Sequence, residues 1–451
     1  MIKLVKFLFR PGDQRSKNIK IHTFLNFLFR GLGMICGFLT VSTSLAYIDK
    51  SEYGVWLTLT SITVWLAYID VGLGNGMRNK VAEAIGKGDE MLAKEYVSTT
   101  YLFFSMLLFF IFILFAIGNY FLNWNVILRT TIPASQLLVI TFVVVLSFCL
   151  RLILSLVTTV AIALQKVYFD SLINFLISFI TLVGIYALTK INNHSFQLFC
   201  ITLAVIPVVI LLVFNYILFK YSSFAFLRPQ FKSFNKQHVK GLLNVGIQFF
   251  FIQLVGIIIF STDNILITQL FSAAAVTTFN VAYKYFSITT MVFSIVLLPY
   301  WSAFTNTYIQ NDIAWIRNAF KKLLLFWVLQ VLATIILIMA SSFVFHLWVG
   351  DKVIVPFSLS VSLSLYCIIF NWNNIFAYFI NGISKIRLQL YSSVFVGVAN
   401  IPLSYLLAKH TDLGVSAIVI ANAICLLVGS VWAPIQCYKI IHNKASGIWN
   451  K

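Results

Sequence analysis

The sequence predicts an all-α integral membrane protein: twelve transmembrane helices, divided into two six-helix bundles by a pseudo-two-fold repeat. Three observations carry this. The first is composition: of 451 residues 60% are apolar and only 10% charged, with a mean hydropathy of +0.94. A soluble chain carries roughly a quarter charged residues, so a globular core with a solvated surface is excluded. The second is the presence of twelve apolar stretches, each near or above the ~20 residues that cross a bilayer as a helix. The third is that Lys and Arg gather on alternate connections between those stretches.

Taken in order, the spans fall at about 21–47, 53–78, 98–121, 135–164, 168–189, 196–219, 241–268, 275–305, 322–347, 355–382, 388–408 and 413–438. With the N-terminus inside, the cytoplasmic segments hold 24 of the 32 Lys and Arg residues and the outer loops hold five, Lys50, Arg129, Lys190, Lys352 and Lys409. A bias that survives every alternation requires an even number of spans and places both termini in the cytoplasm. It also accounts for the net charge of +19 without a nucleic-acid partner, because no basic domain stands outside the membrane. The first twenty residues carry six basic residues and no cleavage site after an apolar run, so they are read as a cytoplasmic basic segment rather than a cleaved signal. Within it, Met1 to Phe9 has the composition of either a short basic surface helix or a frayed end.

Lys220 to Lys240 is the longest polar stretch in the middle of the chain. It divides the sequence into a bundle over 1–220, a linker over 221–240 and a bundle over 241–451. The halves are weakly alike. Gly88-Asp89-Glu90 leads into the third span, and Asn311-Asp312 leads into the ninth. Repeats of this kind let carriers rock two bundles about a site near the midplane.

Charges inside spans cost several kcal/mol unless they face a bundle interior or water, and five stand out. Arg30 lies roughly 10–14 Å above the cytoplasmic end of the first span at ~1.5 Å per residue, a depth that permits pairing with Asp70 in the second. Asp263 and Lys284 share the outer thirds of spans seven and eight and form a second candidate pair. Arg151 sits near the middle of span four with no acidic residue at its depth. An unpaired guanidinium there calls for a water-filled cavity or an anionic ligand. Three cations against two carboxylates leave the interior positive, which suits a phosphate or pyrophosphate. Trp56, Tyr283, Tyr285, Tyr300 and Trp301 are candidates for lining such a cavity. Prolines 207, 299, 402 and 434 lie within spans and are expected to kink them. Asn371, Asn373, Asn374 and Asn381 cluster in span ten, and amides of this kind serve sugar hydroxyls or interhelical hydrogen bonds.

Catalytic patterns are not apparent. The six histidines lie at or near span ends on both sides, and no GxxxxGK[ST] loop is present, so ATP is not the direct energy source. The six cysteines show no CxxC or Cys/His cluster, so no metal site and no disulfide framework is signalled. No catalytic residue, metal or cofactor is expected.

Three stretches carry a resemblance: Ser51-Glu52-Tyr53-Gly54-Val55-Trp56; Asp70-Val71-Gly72-Leu73-Gly74-Asn75-Gly76 with Arg78-Asn79-Lys80; and Ser261-Thr262-Asp263-Asn264-Ile265-Leu266-Ile267 with Val276 to Tyr285 and Pro299-Tyr300-Trp301-Ser302-Ala303. Together they resemble the polysaccharide-biosynthesis (O-antigen) flippases of the multidrug/oligosaccharidyl-lipid/polysaccharide flippase superfamily, over about residues 20 to 440. The resemblance implies a V of two bundles around a central cavity and alternating access. It also implies transfer of a polyprenyl-pyrophosphate-linked oligosaccharide across the bacterial inner membrane. Arg30, Arg151 and Lys284 match the family's basic cavity residues in kind, with Tyr283 and Trp301 as aromatic candidates beside them. Asp70 and Asp263 are then candidates for coupling to H+ or Na+. Membrane lipids and a polysaccharide polymerase are the partners expected. Two alternatives remain open: a multidrug cation antiporter on the same fold, which calls for an acidic, aromatic cavity, and a membrane glycan polymerase or ligase, which calls for a catalytic outer loop.

Overall fold

A computed structural model describes residues 14–67, 73–164, 166, 168–191, 194–221, 224–239, 262–383 and 385–450. Asp70, the segment 1–13 and most of the expected span 241–268 lie outside the described residues.

The described residues are helical almost throughout. The helices are α1 (Gln14–Tyr47), α2 (Lys50–Ala67), α3 (Leu73–Gly86), α4 (Glu90–Asn119), the short α5 (Trp124–Leu128), α6 (Ala134–Ala163), α7 (Tyr168–Lys190) and α8 (Phe196–Tyr221). They continue with α9 (Asp263–Leu270), α10 (Ala273–Ile309), α11 (Ile313–Val349), α12 (Phe357–Gly382), α13 (Arg387–His410) and α14 (Ser416–Ile441). Ten of these have the length and apolarity to cross a membrane. The expected spans at 53–78 and 241–268 correspond to α2 with α3 and to α9, and both include residues outside the described set.

The chain forms two compact units, residues 1–49 with 63–251 and residues 50–62 with 252–451. In the first unit α1 packs along α7, with Phe29 stacked on Phe175 at 5.8 Å. A core of Met77 and Val81 on α3, Phe104 on α4 and Val157 on α6 holds the rest together. The stretch expected as a linker belongs to this unit. Phe224 and Leu227 are fully buried in that core, Lys166 lies over the Phe224 ring at 4.8 Å, and Ser98 Oγ accepts from the Gln230 amide at 3.1 Å. In the second unit α12 packs between α10 and α14, around Phe293, Phe304, Phe379 and Ile375. The first thirteen residues of α2 join this unit rather than the N-terminal bundle in which the sequence placed them.

Two local signals recur in the two halves. Asp89 starts α4 by accepting from the Leu92 amide at 2.9 Å, and Asp312 starts α11 by accepting from the Trp315 amide at 2.9 Å. Each cap satisfies an amide at a helix start that would otherwise lack an acceptor. Before each stands a residue of positive φ, Gly88 at 76° and Asn311 at 56°, which reverses the chain into the cap. Proline occupies the N-cap of both α6 (Pro133) and α12 (Pro356), where a missing amide hydrogen costs nothing. The likeness of Gly88-Asp89 and Asn311-Asp312 is therefore one of geometry as well as letters. Helices α8, α13 and α14 run on through Pro207, Pro402 and Pro434. All six cysteines are buried.

Candidate functional site

In the first unit the polar side chains form a strip across α1, α6 and α7. Asn26 and Arg30 stand one turn apart on α1. Arg30 Nε donates to Ser171 Oγ at 3.4 Å, and Ser171 Oγ donates in turn to Asn26 Oδ1. Asp170, beside Ser171, lies within electrostatic range of Arg30 and accepts from Asn174 Nδ2 at 3.2 Å. Thr158 of α6 borders the same carboxylate. Arg151 lies seven residues earlier on α6, roughly 10 Å along the axis and on the same face, since seven residues are close to two turns. Ser155 falls between them. Arg151 is exposed, and it makes no hydrogen bond or ion pair with a described residue. A guanidinium in the middle of a 30-residue apolar helix calls for water or an anionic partner.

Helix periodicity thus puts Arg151 on the face of α6 that borders the Arg30 group, and Asp170 is an acidic neighbour of Arg30 among the described residues. Arg30 was expected to pair with Asp70, which is outside the described residues; its described neighbours are Ser171 and Asp170. Asp170, near Arg30, is a residue that sequence reasoning does not single out, because it stands only two residues into the expected span at 168–189. Its i, i+4 spacing to Asn174 on a helix face also bearing Ser171 was the available signal.

In the second unit a series of buried and half-buried polar groups crosses α2, α9, α10, α13 and α14. Asn280 Nδ2 donates to Asn264 Oδ1 at 2.7 Å, and Asn264 Nδ2 donates to Ser61 Oγ at 2.7 Å. Thr58 and Thr268 share a hydrogen bond at 2.7 Å one turn away. Next to Asn264, Asp263 is only 8% exposed; its Oδ2 accepts from Asn422 Nδ2 at 2.8 Å. Asn422 Oδ1 accepts from Asn400 Nδ2 at 2.6 Å. Asp263 Oδ1 and Asn400 Oδ1 are buried with no described partner. The pairing of Asp263 with Lys284 expected from depth is corrected here: the carboxylate is turned toward α14 and held by an amide. Depth fixes only height along a helix, whereas pairing also requires the two residues to face each other around their axes. A buried carboxylate with one satisfied and one open oxygen is suited to taking up a cation or a proton.

Tyr283 and Trp301 lie 18 residues apart on α10, five whole turns, and so share one face. They are 39% and 42% exposed, with Ser287, Thr290 and Ser294 in line between them. Tyr283 stacks on Phe279 at 5.8 Å and Trp301 meets Tyr378 edge-on at 5.4 Å. Tyr283 and Tyr366 both lie within electrostatic range of Asp263. Lys284, half-buried, follows Tyr283 on the next face.

Of the asparagines of span ten, Asn373 has a packing role. Asn373 Nδ2 donates to the Leu426 carbonyl at 2.9 Å, and its Oδ1 rests against Gly429, where an added Cβ would stand 3.0 Å away. Beside it a cavity of about 150 Å³ opens between α12, α13 and α14, lined by Asn374, Gln389, Ser392 and Trp432 among others.

No protein-family model matches the chain. It is 21% identical, over 280 residues, to a Salmonella typhi protein described as "Putative O-antigen transporter"; the match covers 58% of this chain and 59% of that protein's length. Among solved structures it is similar to an inward-facing multidrug resistance MATE family transporter of the MOP superfamily, with a TM-score of 0.77 and 14% identity over 94% of this chain and 99% of that one. It is also similar to the lipid II flippase MurJ in an inward closed conformation, with a TM-score of 0.68 and 13% identity over 94% and 90% of the two chains. The chain therefore shares the all-helical membrane fold of these two proteins, and ten helices among its described residues are long and apolar enough to cross a membrane.

Proposed function

We propose that this protein is a flippase that moves a polyprenyl-pyrophosphate-linked oligosaccharide across the bacterial inner membrane for surface-polysaccharide synthesis. The observation that carries the reading is Arg151: an open guanidinium at mid-span, on one polar strip with Arg30. Two cations on such a strip match a pyrophosphate, which offers several anionic oxygens to charge-assisted hydrogen bonds. Lys284 adds a third cation in the second unit, and Tyr283 and Trp301 offer ring faces to sugars. The likeness to a protein described as an O-antigen transporter and to a lipid II flippase supports the same substrate class. The protein acts as a carrier, not an enzyme, with both termini in the cytoplasm and a polysaccharide polymerase as its downstream partner.

Asp263 is the coupling group we favour, taking H+ or Na+ through its open oxygen, with Asp70 as a second candidate. An ion moves the carrier between its two facing states only if it binds them unequally, and breaking the Asp263–Asn422 contact is a local event that supplies such a difference.

The multidrug antiporter reading draws on the MATE likeness and on the grouping of Asp263 with Tyr283 and Tyr366, which would suit an organic cation. The open guanidinium of Arg151 opposes it. The deciding measurement is thermal stabilisation of purified protein by a polyprenyl-pyrophosphate oligosaccharide and by hydrophobic cations. We expect the pyrophosphate lipid to stabilise, with affinity reduced tenfold or more in Arg151→Gln, since a hydrogen bond to a charged group contributes about 1.5–3 kcal/mol. Stabilisation by cations alone, unchanged in Arg151→Gln, would overturn the flippase reading.

A further inference from the structure

A groove of about 370 Å³ opens on the second unit between α11, α12 and α14, at the end where Lys385, Lys439 and the 3-10 turn Gly447–Asn450 meet. Its floor is carbon: Phe320 stacks on Phe376 at 5.7 Å, and Cys437 is buried beside them. Leu324, Pro434 and Tyr438 form its walls. Leu325, Val431 and Ile435 around it are exposed, as expected of a surface facing lipid tails. The rim at the helix ends is basic. Arg317 and Lys321 stand one turn apart on α11, both exposed, and neither makes a hydrogen bond or ion pair with a described residue. His442 faces them from the end of α14. Asp312, the acidic group at the start of α11, spends its carboxylate on the Trp315 amide.

From Arg317 to Leu324 the groove descends ~10 Å along α11. Cations of the kind that hold phosphate thus stand at the helix end, and an apolar channel runs away from them along α11. Basic pockets between helices on the cytoplasmic side take lipid head groups for this reason.

We propose that this groove is a binding site for an anionic phospholipid of the leaflet on the Lys/Arg-rich side. Its phosphodiester lies between Arg317, Lys321 and His442, and one acyl chain lies over Phe320 and Phe376. The charge of the rim selects an anionic over a zwitterionic head, and the apolar floor requires a chain rather than free phosphate. The site is separate from the Arg30–Arg151 strip and does not depend on what that strip carries.

The test is a native mass spectrometry titration of the delipidated protein with phosphatidylglycerol, phosphatidylcholine, polyprenyl phosphate and inorganic phosphate. Each is run on wild type, on Arg317→Gln/Lys321→Gln and on Leu324→Trp, which fills the channel and leaves the charge unchanged. We expect phosphatidylglycerol to bind more tightly than phosphatidylcholine, to weaken roughly fivefold for each basic side chain removed, and to be lost in Leu324→Trp. Equal binding of the two phospholipids, or affinity unchanged in both variants, would overturn the site. Tighter binding of polyprenyl phosphate through the same residues would reassign the groove to the carrier's substrate, and binding of inorganic phosphate in Leu324→Trp would reduce it to a surface charge cluster. Stabilisation of Arg317→Gln/Lys321→Gln by the pyrophosphate lipid reports the Arg151 reading on its own.

Discussion

Gly54 is the position at which one methyl group should cost most. It lies on α2 where that helix meets the start of α10, and a Cβ built there would stand 1.7 Å from the Ala273 carbonyl oxygen and 2.4 Å from its carbon. Real Cβ atoms essentially never approach a neighbour within 3.0 Å, so Gly54→Ala forces backbone from backbone by at least 1.3 Å. No rotamer change relieves it, because the obstacle is a main-chain carbonyl. The same movement stretches the hydrogen bonds that join these segments: Thr277 Oγ1 to the Lys50 carbonyl at 2.7 Å, Thr58 with Thr268 at 2.7 Å, and Asn264 with Ser61 at 2.7 Å. Overpacking costs about 1–3 kcal/mol, and each buried polar group left unpaired costs about 1–3 kcal/mol more. We therefore expect Gly54→Ala to lose several kcal/mol, roughly 2–6 with one such group left unpaired. The assay is thermal unfolding of the purified protein in detergent, followed by loss of the monodisperse chromatographic peak. Gly31→Ala is the internal control: nothing lies within 4 Å of its added Cβ, so it should match wild type or gain up to about 1 kcal/mol of helix propensity. A Gly54→Ala protein that melts with wild type would refute the close approach of α2 and α10.

Two further predictions follow from individual contacts. Asn422→Ala removes the donor that holds Asp263 Oδ2 and should destabilise by about 1–3 kcal/mol, while adding Asp263→Asn should recover much of that loss; a double-mutant cycle showing strict additivity would refute the coupling. Glu83, exposed at the end of α3, is held down to about 2 by Lys87 and then Lys80, at 2.7 and 3.0 Å. Because its folded value is depressed, whatever it contributes is present above the ordinary carboxylate range and is lost as pH falls toward 2. Glu83→Gln should leave the neutral-pH melting temperature nearly unchanged, since exposed ion pairs contribute little; a carboxyl NMR titration with its midpoint near 4.5 would refute the lowered value.

Legibility differed sharply between elements. The spans at 98–121, 135–164, 168–189 and 196–219 lie within or close to the bounds of α4, α6, α7 and α8. The expected breaks before α4 and α11 are real caps on Asp89 and Asp312. Arg151 was legible because an arginine in the middle of a 30-residue, mostly apolar helix has no local reason to be there. Asp170 was not, because two residues from a helix start an aspartate looks like an ordinary first-turn acid. The supposed linker at 221–240 looked polar, yet Phe224 and Leu227 bury it in the first unit's core.

Composition alone was enough to pick out the apolar segments and the side chains that bear charge within them. Partition into a bilayer and the positive-inside bias are properties of short windows, summed residue by residue. Only the tertiary structure decided the partners: Ser171 for Arg30, 141 residues away, Asn422 for Asp263, 159 residues away, and Ala273 for Gly54. Such contacts depend on the rotation of each helix about its own axis. That rotation is set by packing against neighbours far along the chain, which no local window contains.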